Sequence, residues 1–220
     1  MHVLYLHGFA SGPLTEKGQR LAARLAGACA SYGIPDLEAG DFTGLTMERI
    51  QERAVAAAQA LPDDGQRLLV VGSSLGGYTA ALLAAQGRLP RLAGLVLIAP
   101  AMGFVSSFTE RLGPAEIAAW RAAGTKPFWH HGAQAEVPLG RGFLDSCVGL
   151  PDQPGAPGVP VALVHGRQDE TVDHQASVAY ALAHPGVELH LVEGDHRLTE
   201  PRHEDLIAWC ARDLIARTAG

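Results

Sequence analysis

Apolar residues in this chain come in short unbroken runs. His2–Leu6, Leu68–Gly72, Leu95–Ala99, Val161–His165 and Val187–Val192 each read as a strand, and Cys29–Ile34, closed by Pro35, reads as another. A strand buried on one face alternates apolar with polar. A near-continuous run suits a strand covered on both faces, as in a parallel sheet between two helix layers. Alanine-rich stretches of helical character lie between the runs: Thr15–Ala28, with leucines at 21 and 25; Met47–Leu61, with Thr46 as N-cap and Pro62 as stop; Leu75–Gln86; His174–Ala183; and Glu204–Ala216. The order predicts one doubly wound α/β domain over residues 1–220, with a mainly parallel sheet of about six strands. No internal repeat or linker divides it.

The stretch 101–159 breaks this alternation. It holds one helical piece, Pro114–Ala123, amid loop-like sequence. It also carries Phe104, Phe108, Trp120, Phe128, Trp129 and Phe143, six of the nine Phe and Trp residues, which a mere connection does not need. Either the excursion packs a small core of its own, or it forms a lid whose apolar face lines a pocket.

Composition narrows the function classes. Of 220 residues 47% are apolar and 18% charged, a globular balance. A net charge of -6 without a basic stripe argues against nucleic acid as a partner. The apolar runs are far too short to span a membrane, and the opening MHVLYLHGF reads as a strand and not as a signal peptide. Cys29, Cys147 and Cys210 are scattered and odd in number, as expected of reduced thiols in a cytoplasmic protein.

The chemistry is concentrated after the strands. Gly72-Ser73-Ser74-Leu75-Gly76-Gly77 follows one apolar run and opens a helix. Gly-x-Ser-x-Gly in that setting is a nucleophile elbow, a strained turn that lifts a serine hydroxyl to the top of a sheet. The flanking glycines fit because a Cβ there would strike the neighbouring strand and helix. Ser73 precedes the nucleophile, so its side chain should point the other way. A serine needs a base to take its proton. Asp169 follows the run Val161–Val164, and His196 follows Val187–Val192, so serine, acid and histidine come in the order such a site uses. Asp173 and Asp195 are the other acids at hand. The loop LHGFASG after the first strand holds Gly8 and Gly12 and is the place for an oxyanion hole. Phe9 N–H, with Ala10 as a neighbour that could serve instead, would act beside Leu75 N–H. His7 and His165 are expected to hydrogen-bond within their own loops. His130-His131 resembles a metal pair, but no carboxylate or cysteine cluster has matching spacing, so no metal is expected.

These residues resemble the α/β-hydrolase superfamily over essentially the whole chain. LYLHGFASGP, GSSLGGY and GDHRL are similar to the small bacterial YqiA-type esterases. VPVALVHGRQDETVDHQASVAYA and Asp195-His196-Arg197 also resemble a mitochondrial abhydrolase that acts on S-palmitoyl thioesters and acyl glucuronides. The resemblance implies an acyl hydrolase with Ser74 as nucleophile, Asp169 as acid and His196 as base, on a fold lacking the first two strands of its larger members. The expected substrate is a small-molecule acyl ester or thioester, with no cofactor and no membrane partner. The expected wall of an acyl pocket, in a lid over 101–159, is Met102, Phe104, Phe108, Trp120, Trp129 and Phe143. A peptidase or amidase on the same residues, or a non-catalytic binding protein, are the rival readings.

Overall fold

The structure, a computed structural model, describes residues 1–218; the last two positions of the domain expected over 1–220 lie outside the described residues. The elements run β1 (His2–Leu6), α1 (Glu16–Arg24), β2 (Ser31–Gly33), α2 (Met47–Gln59), β3 (Leu68–Ser73), α3 (Leu75–Ala85), β4 (Leu92–Ile98), α4 (Phe104–Ala123), β5 (Thr125–His130), β6 (Ala135–Gly140), α5 (Arg141–Ser146), β7 (Val161–Gly166), α6 (His174–Ala183), β8 (Val187–Val192) and α7 (Pro201–Thr218). Six strands form one sheet in the order β2-β1-β3-β4-β7-β8, and every pairing in it is parallel.

The unbroken apolar runs are explained by two cores. Along β1, Leu4 and Leu6 enter one core and Val3 and Tyr5 the other. Leu68 and Val70 of β3 side with the first, Leu69 and Val71 with the second, and β4 and β7 divide in the same way. Successive side chains point to opposite faces of a strand, so both parities must be apolar when both faces are covered. Helices α2 and α3 cover the first face; α1 and α7 cover the second. Thr46 accepts the Arg49 N–H and caps α2 as its position predicts.

The excursion is more ordered than its sequence suggests. Helix α4 starts at Phe104, ten residues before Pro114, and bends where Gly113 takes φ 74°. Its first turn is capped from a distance: Asp152 accepts the Ser106 N–H at 2.9 Å. Strands β5 and β6 form a separate antiparallel hairpin in which Pro127 faces Pro138. A two-stranded ribbon has two free edges, so neither proline removes a needed ladder bond. Edge strand β2 is shorter than the expected Cys29–Ile34 because it pairs with β1 alone, over three residues.

Candidate active site

Ser74 lies between β3 and α3 with φ 54° and ψ -120°, a conformation that costs a non-glycine residue energy. The surroundings hold it there. Ser74 N–H donates to Ile98 O at 2.9 Å, and Ser74 O accepts from Tyr78 and Ala101 N–H at 3.0 Å each. The elbow is pressed against β1: a Cβ on Gly76 would lie 2.1 Å from Leu6 O, and one on Gly72 would lie 2.5 Å from Gly76 O. Gly76→Ala is therefore expected to destabilise the chain by about 3 kcal/mol, read as a lowered urea midpoint. An unchanged midpoint would mean that the elbow and β1 are not packed this closely. Ser73 turns to the opposite face, where Lys17 Nζ donates to its hydroxyl at 3.3 Å. Burial pushes the Lys17 ammonium down to about 8.

Strand order brings distant loops together at the carboxyl end of the sheet, where open α/β sheets carry their ligands. Loops after β1 and β3 are neighbours, and so are those after β7 and β8. His196 Nε2 stands 3.1 Å from Ser74 Oγ, and His196 Nδ1 stands 2.7 Å from Asp169 Oδ2. An ionised carboxylate only accepts. Nδ1 therefore carries the ring proton, and the Nε2 lone pair faces the serine hydroxyl. The other two acids are occupied elsewhere. Asp173 caps α6 by accepting the Gln175 N–H, and Asp195 accepts the Arg197 and Leu198 N–H groups.

The Asp169 side chain is enclosed, and both its oxygens are satisfied. Oδ1 accepts from Thr171 and Val172 N–H at 2.8 Å each, while Oδ2 takes His196 and also His165 Nε2 at 3.0 Å. Burial alone would raise this carboxyl. The hydrogen bonds from His165, His196 and Val172, with the attraction of the His196 ring, outweigh it and hold the group well below the usual carboxylate range. His165 is the residue that sequence reasoning undervalued. Instead of bonding within its own His-Gly pair, it lies in β7 and reaches forward to the site acid. Its Nε2 faces two acceptors, Asp169 Oδ2 and Val172 O, so Nδ1 accepts from Ser177 Oγ at 2.7 Å. The signal was present as His165 four residues before Asp169, at the carboxyl end of a strand.

His7 Nδ1–H donates to Gly8 O at 2.9 Å and Nε2 accepts from Leu37 N–H at 3.2 Å, so the ring braces the loop after β1. Burial favours its neutral form. The Gly8 backbone runs alongside Ser74, such that a Cβ there would touch the Ser74 side chain at 3.4 Å. Gly8, Phe9 and Leu75 line one cavity of about 10 Å³. Leu75 is the first residue of α3, where backbone N–H groups lack intrahelical partners.

The aromatic residues of the excursion form one cluster joined to this loop. The Phe9 ring lies 5.3 Å from Phe143, 5.6 Å from Phe128 and 6.5 Å from Phe108, centroid to centroid, and Phe104 lies 5.2 Å from Phe108. Met102, Trp120 and Phe143 are buried, and Trp120 Nε1–H donates to Leu139 O at 3.0 Å. Phe104 and Phe108 are half-buried. Trp129 departs from the expected wall. It is 51% exposed, because alternation along β5 turns Phe128 inward and Trp129 outward. Phe128 holds the inner place instead, 5.3 Å from Trp120.

His130 and His131 diverge: His130 pairs with Glu38, and among the described residues no group of three His, Cys, Asp or Glu side chains is arranged to hold a metal ion. Among the described residues no helix is long and apolar enough to cross a membrane.

The family described as an uncharacterised protein family, UPF0227, matches residues 2–207. No curated protein sequence matches the chain. Several solved structures are similar to it. A proposed hydrolase from Agrobacterium vitis S4 superposes with a TM-score of 0.84 at 26% identity, covering 97% of this chain and 87% of that one. Mouse alpha/beta hydrolase domain-containing protein 10 gives 0.81 at 21% identity, covering 98% and 90%. A metagenome-derived lipolytic enzyme gives 0.72 at 20%, covering 98% and 93%. The six-stranded parallel sheet with its two helix layers is thus the α/β-hydrolase fold.

Proposed function

We infer that this chain, which belongs to the UPF0227 family, is a serine hydrolase that cleaves carboxylic esters or thioesters through an acyl-enzyme on Ser74. The observation that carries the reading is the hydrogen-bonded chain from Ser74 Oγ through His196 to the enclosed Asp169 carboxylate. Nothing in a packed α/β core requires those three groups to meet at a strained serine. The lipolytic relative is in keeping with an acyl ester as substrate, although at its level of identity it carries the fold and not the substrate.

Each group has one task. The Ser74 proton passes to His196 Nε2 as Oγ attacks the acyl carbon, and the carbonyl oxygen becomes an oxyanion between Phe9 and Leu75 N–H. Asp169 holds the ring and balances the imidazolium charge. The imidazolium then gives its proton to the departing alcohol or thiol as the C–O or C–S bond breaks. Water repeats the sequence on the acyl-enzyme: its proton goes to Nε2, its oxygen to the acyl carbon, and the proton returns to Ser74 Oγ. All atoms of the reaction come from substrate, Ser74, His196 and water, so the proposal needs no cofactor.

Turnover of p-nitrophenyl butyrate and of the matching acyl thioester tests the reading. Activity on p-nitroanilides alone would make the chain an amidase or peptidase, and no turnover of any acyl substrate would make it a binding protein. In this reading the acyl group lies against the half-buried rings of the excursion, Phe104 and Phe108, with Trp120 and Phe143 in ring contact with them. A ring that covers two methylenes contributes about 1.6 kcal/mol at about 0.8 kcal/mol each. Phe108→Ala is therefore expected to raise KM for an octanoate ester about tenfold, with little change for the acetate. Trp129→Ala should change neither. Equal effects of Phe108→Ala on both esters would make the cluster structural only.

A further inference from the structure

Segment 130–132 and segment 36–38 grip the loop after β1 from two sides. On one side, His131 N–H donates to Ala10 O at 2.7 Å, and Gly132 is packed so closely that a Cβ would stand 2.8 Å from Ser11 O. On the other, Leu37 N–H donates to His7 Nε2, and His7 Nδ1–H donates to Gly8 O. One side-chain bond joins the two jaws. His130 Nδ1 accepts the Ala133 N–H at 3.1 Å, so the ring donates through Nε2 to Glu38 Oε2 at 2.6 Å. The two side chains are 10% and 8% exposed. A carboxylate and an imidazole buried this deeply, with no hydrogen bond to Ser74, Asp169 or His196, call for an explanation, since burying them costs energy that apolar residues would not.

We propose that Glu38 and His130 are positioning residues for the oxyanion donors, closing the β5–β6 hairpin onto segment 36–38 so that Phe9 N–H is held beside Leu75 N–H. The inference rests on the acyl-transfer reading of Ser74. An oxyanion donor is effective only when it needs no reorganisation as charge develops. The loop cannot supply that rigidity alone: Gly8 brings no side chain, and Ala10 sits at φ 50°. The far end of the hairpin is tied by Thr43, whose hydroxyl donates to Pro138 O and whose carbonyl accepts the Gly140 N–H, while the Glu38–His130 bond ties the end that meets the loop after β1. The second Glu38 oxygen points to the same place. Oε1 is buried without a protein donor, and Glu38 lines the 10 Å³ cavity together with Gly8, Phe9 and Leu75.

The test compares His130→Leu, which keeps the volume and removes the donor, with Glu38→Gln, whose amide oxygen still accepts from Nε2. His130→Leu is expected to lower kcat on p-nitrophenyl butyrate by about tenfold to a hundredfold with KM within about twofold. Glu38→Gln should stay within about threefold of the native kcat. Amide hydrogen exchange should quicken by about tenfold across residues 7–12 in the leucine variant, with β3 unchanged. Glu38→Ala removes the same bond from the other jaw and serves if the leucine variant does not fold. Unchanged exchange at 7–12 overturns the clamp, as does faster exchange with native kcat, or a parallel loss of kcat in Glu38→Gln. If the native chain turns over no acyl substrate, the acyl-transfer reading fails by itself, and the exchange comparison still decides whether the pair holds the loop.

Discussion

Replacing Ser74 by alanine should lower kcat on p-nitrophenyl butyrate by on the order of 10⁵-fold and abolish labelling by a fluorophosphonate probe. The size of the effect follows from how little the site keeps without that oxygen. His196 Nε2 addresses Ser74 Oγ at 3.1 Å, and no second hydroxyl takes that place. Ser73 is the nearest in sequence, but it points across the sheet to Lys17. Ser73→Ala should therefore keep labelling. The fold of Ser74→Ala should survive, because the elbow is held by backbone bonds to Ile98, Tyr78 and Ala101 and by the close packing of Gly76 on β1. Undiminished labelling of Ser74→Ala would remove the assignment and with it the proposed reaction.

The strands that proved easiest to find are those whose burial is the same on both faces. Each apolar run of β1, β3, β4, β7 and β8 records a strand divided between two cores, so sequence and structure agree to within a few residues at their ends. Helix α2 was equally plain, because its cap Thr46 is local. What could not be found depends on remote groups. The first turns of α4 use Asp152, forty-six residues ahead of Ser106, to satisfy a backbone donor. The hairpin β5–β6 carries two prolines that argue against strands until they are seen to face one another.

The site divides along the same line. Order along the chain suffices to nominate Ser74, Asp169 and His196, since each follows a strand and parallel strands end at one edge. It says nothing about which residues steady them. His165 gains its place only because the turn after β7 folds Asp169 back over the strand end, where Asp169 and Val172 O fix its tautomer and leave Nδ1 to accept from Ser177 of α6. Glu38 and His130 are 92 residues apart and meet only because β5 turns His130 inward. Trp129 shows the opposite error: an aromatic count places it in a pocket wall, while the two-residue period of a strand places it outside.

Asp169→Asn should cost about 10⁴-fold in kcat, because the amide nitrogen is driven to the Oδ2 place: the rings there can change tautomer, whereas the backbone N–H groups at Oδ1 can only donate. The native carboxylate takes four N–H donors: two rings at Oδ2, two backbone groups at Oδ1. If the asparagine amide nitrogen takes the Oδ2 place, it confronts the rings of His165 and His196, and His196 must turn its lone pair to Nδ1 to accept. The base then loses the free Nε2 that the serine needs. If the nitrogen takes the Oδ1 place, it opposes the Thr171 and Val172 N–H groups, and the turn that carries residue 169 is strained. The same crowd of donors gives a second readout. The folded chain holds the carboxyl below the value of a free aspartate, about 3.9, so as pH falls the unfolded chain takes up the proton first. The stabilisation is complete above that value and is lost as pH drops through the lower value of the folded chain. Urea midpoints of the native protein should therefore fall more steeply below about pH 4 than those of Asp169→Asn, which has no proton to bind there. Equal slopes would show that this carboxylate is not the one held ionised by the fold, and a kcat within about tenfold of native would take it out of the reaction altogether.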